Sequence, residues 1–198
     1  MITLTKQQIK RTFSPSTSRY KDLGRALREE FDALPGGDDT SFTPGQMAEL
    51  GVPHQTIIRA FLRPDVLGDA FGEVVCRLAE AALRAFEMAF PADNRPRAAI
   101  EAARRCFADP TEENESIAAR ASAVAAAAAA RAAVVAPGDA EPWDAKPWAA
   151  ALAASWAADS AADTEWAADE AAAHAARKAV AAGCTRAKII SIIEGAGQ

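Results

Sequence analysis

Apolar residues recur along most of this chain at the three- and four-residue spacing of helices that bury one face. The clearest run covers residues 65–90, and charged residues occupy its opposite face. There Glu73 precedes Arg77, and Glu80 precedes Arg84, by four residues, an order that favours ion pairs along one helix. The run predicts a helix over 65–90 with a buried stripe of Phe71, Val75, Leu78, Ala82, Phe86 and Phe90.

Shorter helices separated by turn residues are predicted for the N-terminal part of the chain. A capping box at Thr5–Gln8 indicates a helix that stops near residues 14–15, and the spacing of leucine and phenylalanine predicts another over about 18–34. Thr43 with Gln46 predicts a capped helix of one or two turns that ends at Gly51, and Pro53 begins the next helix.

Alanine dominates the C-terminal half, where residues 117–182 contain 34 alanines among 66 positions. Alanine has the highest helix propensity, so we predict one helix over about 117–136 and a second long segment from near Trp148, with a further break near 159–160 or 163–164. Because methyl groups are short, we expect these helices to pack near the lower end of the usual interaxial range of about 8–10 Å.

Thr185 is predicted to cap the last helix, which is rich in isoleucine and should dock into the core or into a partner subunit, so a homodimer stays open. No segment alternates apolar and polar residues over strand length. We therefore predict an all-α fold, a multi-helix bundle of closely packed alanine-rich helices. Its organisation is either an N-terminal helical segment over 1–60 with a helical domain over 61–198, or one continuous domain.

The formal net charge of −5 argues against general affinity for nucleic acid, because phosphate binding needs a surplus of Lys and Arg. Residues 107–182 hold twelve Asp and Glu against five Lys and Arg. Such a concentration suits either a solvated polar face or a basic protein partner. Its candidate partner-binding residues are Asp163, Glu165, Asp169 and Glu170.

Catalytic and metal chemistry find little support in the residue pattern. Cys76, Cys106 and Cys184 are odd in number and widely spaced, and with two histidines in the chain they fit neither a disulfide framework nor a zinc site. We expect buried thiols in a reducing, cytoplasmic compartment. We predict no catalytic residue, no metal, no cofactor and no membrane-spanning segment, since charges and prolines interrupt the alanine-rich run.

One segment resembles a helix-turn-helix DNA reader, since a Gly-ended helix over 46–51 precedes a Pro-started one. The second helix would offer His54, Gln55 and Arg59 to DNA. The spacing from Ala48 to Gly51 is one residue shorter than in the usual helix-turn-helix motif. The same pattern also joins two packed helices in ordinary bundles. DNA binding is therefore the less favoured alternative.

The loop over 93–97 is the densest polar cluster of the chain, and Asp93, Arg95 and Arg97 are candidate partner-binding residues. The alternative is structural: Asp93 or Asn94 caps the following helix, while Arg95 or Arg97 pairs with an aspartate, Asp65 or Asp69.

Trp143 and Trp148 flank the turn over 142–147 and are also candidate partner-binding residues, because exposed tryptophan is a typical interface anchor. In a core with few bulky side chains, burial is the alternative for both of them.

Three segments in order, RPDVLG, AEAALRAFE and PADNRPRAAIEAARR, followed by an Ala/Trp-rich tail, resemble the Imm5-like immunity proteins over about 61–182 and most clearly over 64–105. The resemblance implies a non-catalytic protein that binds and neutralises a toxin of bacterial competition systems, and it implies no catalytic residue. An acidic surface would equally serve a phage-encoded inhibitor of a bacterial defence complex, an anti-CRISPR-like role. The expected partner is thus a toxin or a defence-complex subunit.

Overall fold

This computed structural model of the protein describes residues 2–12, 31–134, 146–162 and 168–197. These residues are almost entirely α-helical, which confirms the predicted all-α class. Their strand pair joins β1 (Leu4–Thr5) to β2 (Ser41–Phe42) in antiparallel register. The helices are α1 (Lys6–Thr12), α2 (Pro44–Glu49), α3 (His54–Phe61), α4 (Pro64–Leu67), α5 (Phe71–Ala89), α6 (Arg95–Ala108), α7 (Glu112–Val134), α8 (Lys146–Ala162), α9 (Ala168–Ala181) and α10 (Arg186–Glu194).

The apolar run predicted as one helix over 65–90 is divided in the structure. Gly68 ends α4 with a φ of 53°, a left-handed conformation that glycine adopts at little cost. A 3₁₀ turn over Gly68–Ala70 then leads into α5. The prediction of one continuous helix was wrong because a single glycine inside an apolar pattern permits a break without forcing one.

The alanine-rich helices differ from the prediction in the start of α7 and in the break predicted within α8. α7 begins five residues before the predicted start, and Thr111 Oγ1 accepts a hydrogen bond from Asn114 N at 3.2 Å in its first turn. α8 continues through the predicted break at 159–160 and ends at Ala162. The other predicted break, at 163–164, and most of the helix predicted over 18–34 lie outside the described residues.

Helix α8 lies at the centre of the bundle and contacts α5, α6, α7 and α9. Ten of its 17 residues are buried, and all ten are alanine or serine. The two buried hydroxyls at one contact satisfy each other, since Ser155 Oγ lies 3.1 Å from Ser122 Oγ of α7. Small side chains on nearly every side therefore allow four helices to surround a fifth.

Contacts between neighbouring helices establish the directions of the five long helices. The Arg131 guanidinium near the end of α7 lies over the Phe90 ring, which directly follows α5, so α5 and α7 end together. Phe71 at the start of α5 meets Phe107 at the end of α6 with ring centroids 5.9 Å apart. Cys106 Sγ donates to Ala161 O at 3.1 Å, so α6 and α8 end together. Trp156 stacks on His174, and Lys178 near the end of α9 lies over the Trp148 ring near the start of α8, so α8 and α9 are antiparallel. The lower end of the bundle thus gathers the starts of α5, α7 and α9, and the upper end gathers the starts of α6 and α8.

Ion pairs between α5 and α6 replace the pairs predicted within α5. Arg104 of α6 donates to Glu73 Oε2 at 3.1 Å and to Glu80 Oε1 at 3.0 Å. Arg77 and Arg84 pair with neither glutamate, so the two predicted ion pairs were wrong. The two carboxylates are seven residues apart on one face of α5, and the antiparallel neighbour brings one guanidinium between them.

A buried lysine joins the start of α1 to the backbone of residues 32–34. Lys6 is 5% exposed and its ammonium donates to the carbonyl oxygens of Asp32 at 3.0 Å and Leu34 at 2.8 Å. These carbonyls lie where a helical turn over 31–32 ends, so the positive charge sits at the negative end of the local dipole.

Contacts between the two ends of the chain involve α2 and α10. Gly45 N donates to Glu194 Oε1 at 2.8 Å, and Thr43 forms the predicted cap with Gln46. Ile189 and Ile192 of α10 are buried in the same hydrophobic cluster that holds N-terminal residues. The isoleucine-rich helix therefore docks into the core of its own chain, and the domain boundary predicted at residue 60 falls inside α3.

The packing around α8 predicts that added bulk is destabilising there. Ala157→Leu, at a position 0% exposed, should lower the free energy of unfolding by about 1–3 kcal/mol, because the surrounding helices have no room for an isobutyl group. Ala127→Leu on the exposed face of α7 is the matched control and should change it by less than about 0.5 kcal/mol. Urea unfolding followed by circular dichroism measures both, and equal effects would contradict the close packing of α8.

Gly72 gives a second, independent test of the packing between helices. A Cβ atom at this buried position would lie 2.3 Å from Phe107 Cγ. We expect Gly72→Ala to be destabilising in the native chain, although alanine normally stabilises a helix interior by about 1 kcal/mol relative to glycine. In a Phe107→Ala background the same change should become stabilising. Thermal unfolding of the four proteins of this cycle checks the prediction, and the same sign in both backgrounds would refute it.

Candidate functional site

The predicted partner-binding residues separate onto the two ends of the bundle. Asp93, Arg95, Arg97 and Trp148 lie at the upper end, near the starts of α6 and α8. Glu170 lies at the lower end, in the first turn of α9. Asp169 belongs to the same turn, while Trp143, Asp163 and Glu165 lie outside the described residues. The set therefore cannot form one surface, and its assignment to a partner stays a prediction.

The turn between α5 and α6 is held by its own charges. Asp93 Oδ1 accepts from Arg95 Nε at 2.8 Å and Oδ2 accepts from Arg95 Nη2 at 2.6 Å. Arg95 N also donates to Asp93 Oδ1 at 3.2 Å, so the aspartate caps the start of α6. The Arg95 guanidinium holds the pKa of Asp93 below its ordinary value.

The predicted pairing of this turn with the distant aspartates was wrong. Arg97 pairs with Glu87 across the turn, and Arg63 donates to Asp65 at 2.9 Å. The reason is topological: Asp65 and Asp69 precede the start of α5 at the lower end, whereas the turn lies at the upper end.

Next to this turn lies an open groove that the sequence analysis did not identify. Its volume is about 610 Å³, and we call it the turn groove. The Arg131 guanidinium of α7 lies 5.9 Å from the centroid of the Phe90 ring, within cation–π range. Phe90 itself packs on Phe86 at 5.1 Å. The lining residues are Ala89, Phe90, Pro91, Ala92, Asp93, Arg95 and Arg131.

A half-buried aromatic stripe runs along the outer side of α8. It consists of Trp148, Leu152 and Trp156, and basic side chains of α9 cover both rings. Lys178 Nζ lies 4.1 Å from the centroid of the Trp148 ring, and the His174 ring stacks on Trp156 at 4.7 Å. We call these five residues the tryptophan face.

The electrostatics of the tryptophan face favour a neutral histidine. Burial, followed by the positive charge of Arg177, lowers the pKa of His174 below its ordinary value. Burial also lowers the pKa of Lys178, again with Arg177 as the second cause. Trp148, predicted to be either an exposed anchor or a buried residue, is half-buried, and the Lys178 ammonium contacts its ring.

The predicted DNA-reading residues do not form one exposed row. Gln55 is exposed, whereas His54 and Arg59 are half-buried. α3 packs against α9, and Arg59 is close enough to His174 to contribute to the lowering of its pKa. Burial lowers the pKa of His54, with Arg186 of α10 as the second cause. Two of the three side chains thus face neighbouring helices as much as solvent.

Acidic residues collect at the lower end of the bundle. Asp109, Glu112 and Glu113 are exposed around the start of α7, and Glu170 is exposed at the start of α9. α7 ends beside Phe90 at the upper end, and α9 is antiparallel to α8, so the starts of α7 and α9 both lie at the lower end. We call these four residues the acidic end. Carboxylates there also interact favourably with the helix dipoles.

The cysteines fit structural roles better than chemical ones. Burial raises the pKa of the Cys76 thiol to about 12, and burial also raises the pKa values of Cys106 and Cys184. Cys76 and Cys106 are buried, and Cys184 is half-buried. In the described part of the chain, no group of three or more His, Cys, Asp or Glu residues could hold a metal ion.

Comparison with protein-family models, with curated proteins and with solved structures gives no match to this chain. The resemblance to the Imm5-like immunity proteins therefore stays a prediction. Among the helices of the described ranges, none combines the length and apolar character needed to cross a bilayer.

The thiol environments predict an order of reactivity. Cys184 should be alkylated first by iodoacetamide at neutral pH, whereas Cys76 and Cys106 should react only when the fold opens, because the reactive species is the exposed thiolate. Peptide mass spectrometry after timed alkylation, with and without urea, measures the order. Modification of Cys76 as fast as Cys184 in the folded protein would contradict these environments.

Proposed function

We propose that this chain is a non-catalytic inhibitor that acts by binding a protein, in the way inferred for the Imm5-like immunity proteins. The observation that supports this proposal is the acidic end, with the exposed carboxylates of Asp109, Glu112, Glu113 and Glu170 at one end of the packed helices. A surface of this kind is complementary to a basic active site or to a basic nucleic-acid channel.

Hydrogen bonds hold the acidic end in one shape, which favours binding to a pre-formed surface over folding that the partner induces. Asn114 Nδ2 donates to Asp109 O at 2.8 Å, and the same residue donates its backbone N–H to Thr111, so the loop before α7 is tied to its first turn. Carboxylates on a pre-formed helix start lose little conformational entropy when a partner binds. Steering by the acidic charges would act mainly on the association rate and on its dependence on salt.

A matched pair of double variants tests the proposal. Glu112→Gln with Glu113→Gln removes two charges from the acidic end, and Asp39→Asn with Glu49→Gln removes two exposed charges from the N-terminal part of the chain. Tagged wild-type and variant proteins are used to capture binding partners from host lysate, and the captured protein is then purified. We expect its association rate with the first variant to fall at least about fivefold, and with the control to change less than about twofold.

Four outcomes are informative. A toxin that loses its activity in the complex supports the immunity role, and a defence-complex subunit that loses its activity supports the phage-inhibitor role. Equal association of all three proteins would refute the acidic end as the binding surface. Recovery of nucleic acid alone, released as salt rises, would refute the inhibitor and support the helix-turn-helix alternative. Circular dichroism melts control for loss of helix-dipole stabilisation, about 0.3–1 kcal/mol for each glutamate.

A further inference from the structure

The turn groove at the upper end combines one available positive charge with an apolar wall. Among the charged side chains that line it, Asp93 and Arg95 neutralise each other through two side-chain hydrogen bonds. The third charged residue of the lining is Arg131, which is exposed. In the described ranges no carboxylate forms an ion pair with Arg131, although its charge is near enough to Asp93 to contribute to the lowering of the pKa of that carboxyl. The groove therefore presents a net positive charge although the whole chain is acidic.

Phe90 gives this charge a fixed position. The Phe90 ring packs on Phe86, which is 1% exposed and anchors the ring in the core. The guanidinium of Arg131 lies over the ring, and the N–H groups of a guanidinium lie in its plane, where they can form two parallel hydrogen bonds with a carboxylate. An arginine positioned by an aromatic ring loses less side-chain entropy when it binds an anion than one that moves freely in solvent.

The rest of the lining is apolar and exposed. Ala89, Pro91 and Ala92 surround Phe90, and Met88 at the end of α5 is 75% exposed. A volume of about 610 Å³ is large enough for one or two amino-acid side chains. Apolar side chains next to a single guanidinium match a ligand that carries a carboxylate beside an apolar group.

We infer that the turn groove binds a peptide segment of a partner protein in which a carboxylate adjoins an apolar side chain. The carboxylate lies on Arg131, and the apolar side chain lies against Phe90 and Pro91. The Asp93–Arg95 pair keeps the turn in shape and prevents the Asp93 carboxylate from repelling the incoming one. This site is at the opposite end of the bundle from the acidic end, so its failure would leave the proposed function unaffected.

The test uses three short peptides and the full-length, ¹⁵N-labelled chain. Acetyl-Gly-Leu-Phe with a free C-terminal carboxylate and acetyl-Gly-Leu-Glu-Phe amide present a terminal and a side-chain carboxylate beside apolar groups. Acetyl-Gly-Leu-Phe amide lacks a carboxylate and is the control ligand. Two-dimensional NMR titration follows the backbone amides of Phe90, Ala92, Asp93 and Arg131. We expect saturable shifts of these amides with at least one carboxylate peptide, and the better of the two identifies the source of the carboxylate.

Variants of Arg131 complete the test. Arg131→Gln should weaken binding of the better peptide at least about fivefold, and Arg131→Lys should have an intermediate effect because it keeps the charge and loses the two-pronged geometry. Arg120→Gln removes an exposed arginine from the same helix and should change binding less than about twofold. The inference is overturned if the amide peptide binds as well as the carboxylate peptides, if Arg131→Gln has no larger effect than Arg120→Gln, or if the four amides do not shift.

Discussion

Contact between methyl groups is the interaction on which this fold depends. The buried sides of α8 carry alanine and serine alone, so the neighbouring helices can approach closely on four sides. A single methyl contact contributes little, but many short contacts add up to a dense interior. The charged ends, the tryptophan face and the turn groove all take their positions from the directions that this packing gives to the helices.

Local sequence information was sufficient for the existence of the helices and for several of their ends. Alanine propensity predicted α7 and α8, and the threonine caps at Thr43 and Thr185 are formed as the sequence indicated. Local rules were insufficient where a tertiary neighbour competes. Glu73 and Glu80 both pair with Arg104 of the antiparallel helix α6. They do not pair with the arginines that follow them by one turn in α5. A pattern within one helix contains no information about that partner.

The candidate sites also contain some features that the local sequence predicts and others that depend on tertiary packing. The polar character of the turn over 93–97 was visible in the sequence, since Asp, Asn and Arg around a proline indicate an ordered turn. Arg131 was not identified, because it stands alone in an alanine-rich helix and only the packing of α7 brings it over Phe90. Likewise, Lys178 and His174 have no local signal that relates them to Trp148 and Trp156. Sites assembled from helices far apart in sequence require the register between those helices, and alanine repeats do not specify it.

The packing of α8 divides its own positions into those that tolerate substitution and those that do not. Substitution of a buried alanine by any larger residue disturbs the packing against the neighbouring helix that it faces, and substitution by glycine weakens the helix itself. The half-buried positions Trp148, Leu152 and Trp156 face solvent on one side, so they leave room for side chains of other sizes. Substitutions can therefore accumulate on this one strip of surface while the buried alanines stay constant, so that a variable outer side and a fixed inner side coexist within a single helix.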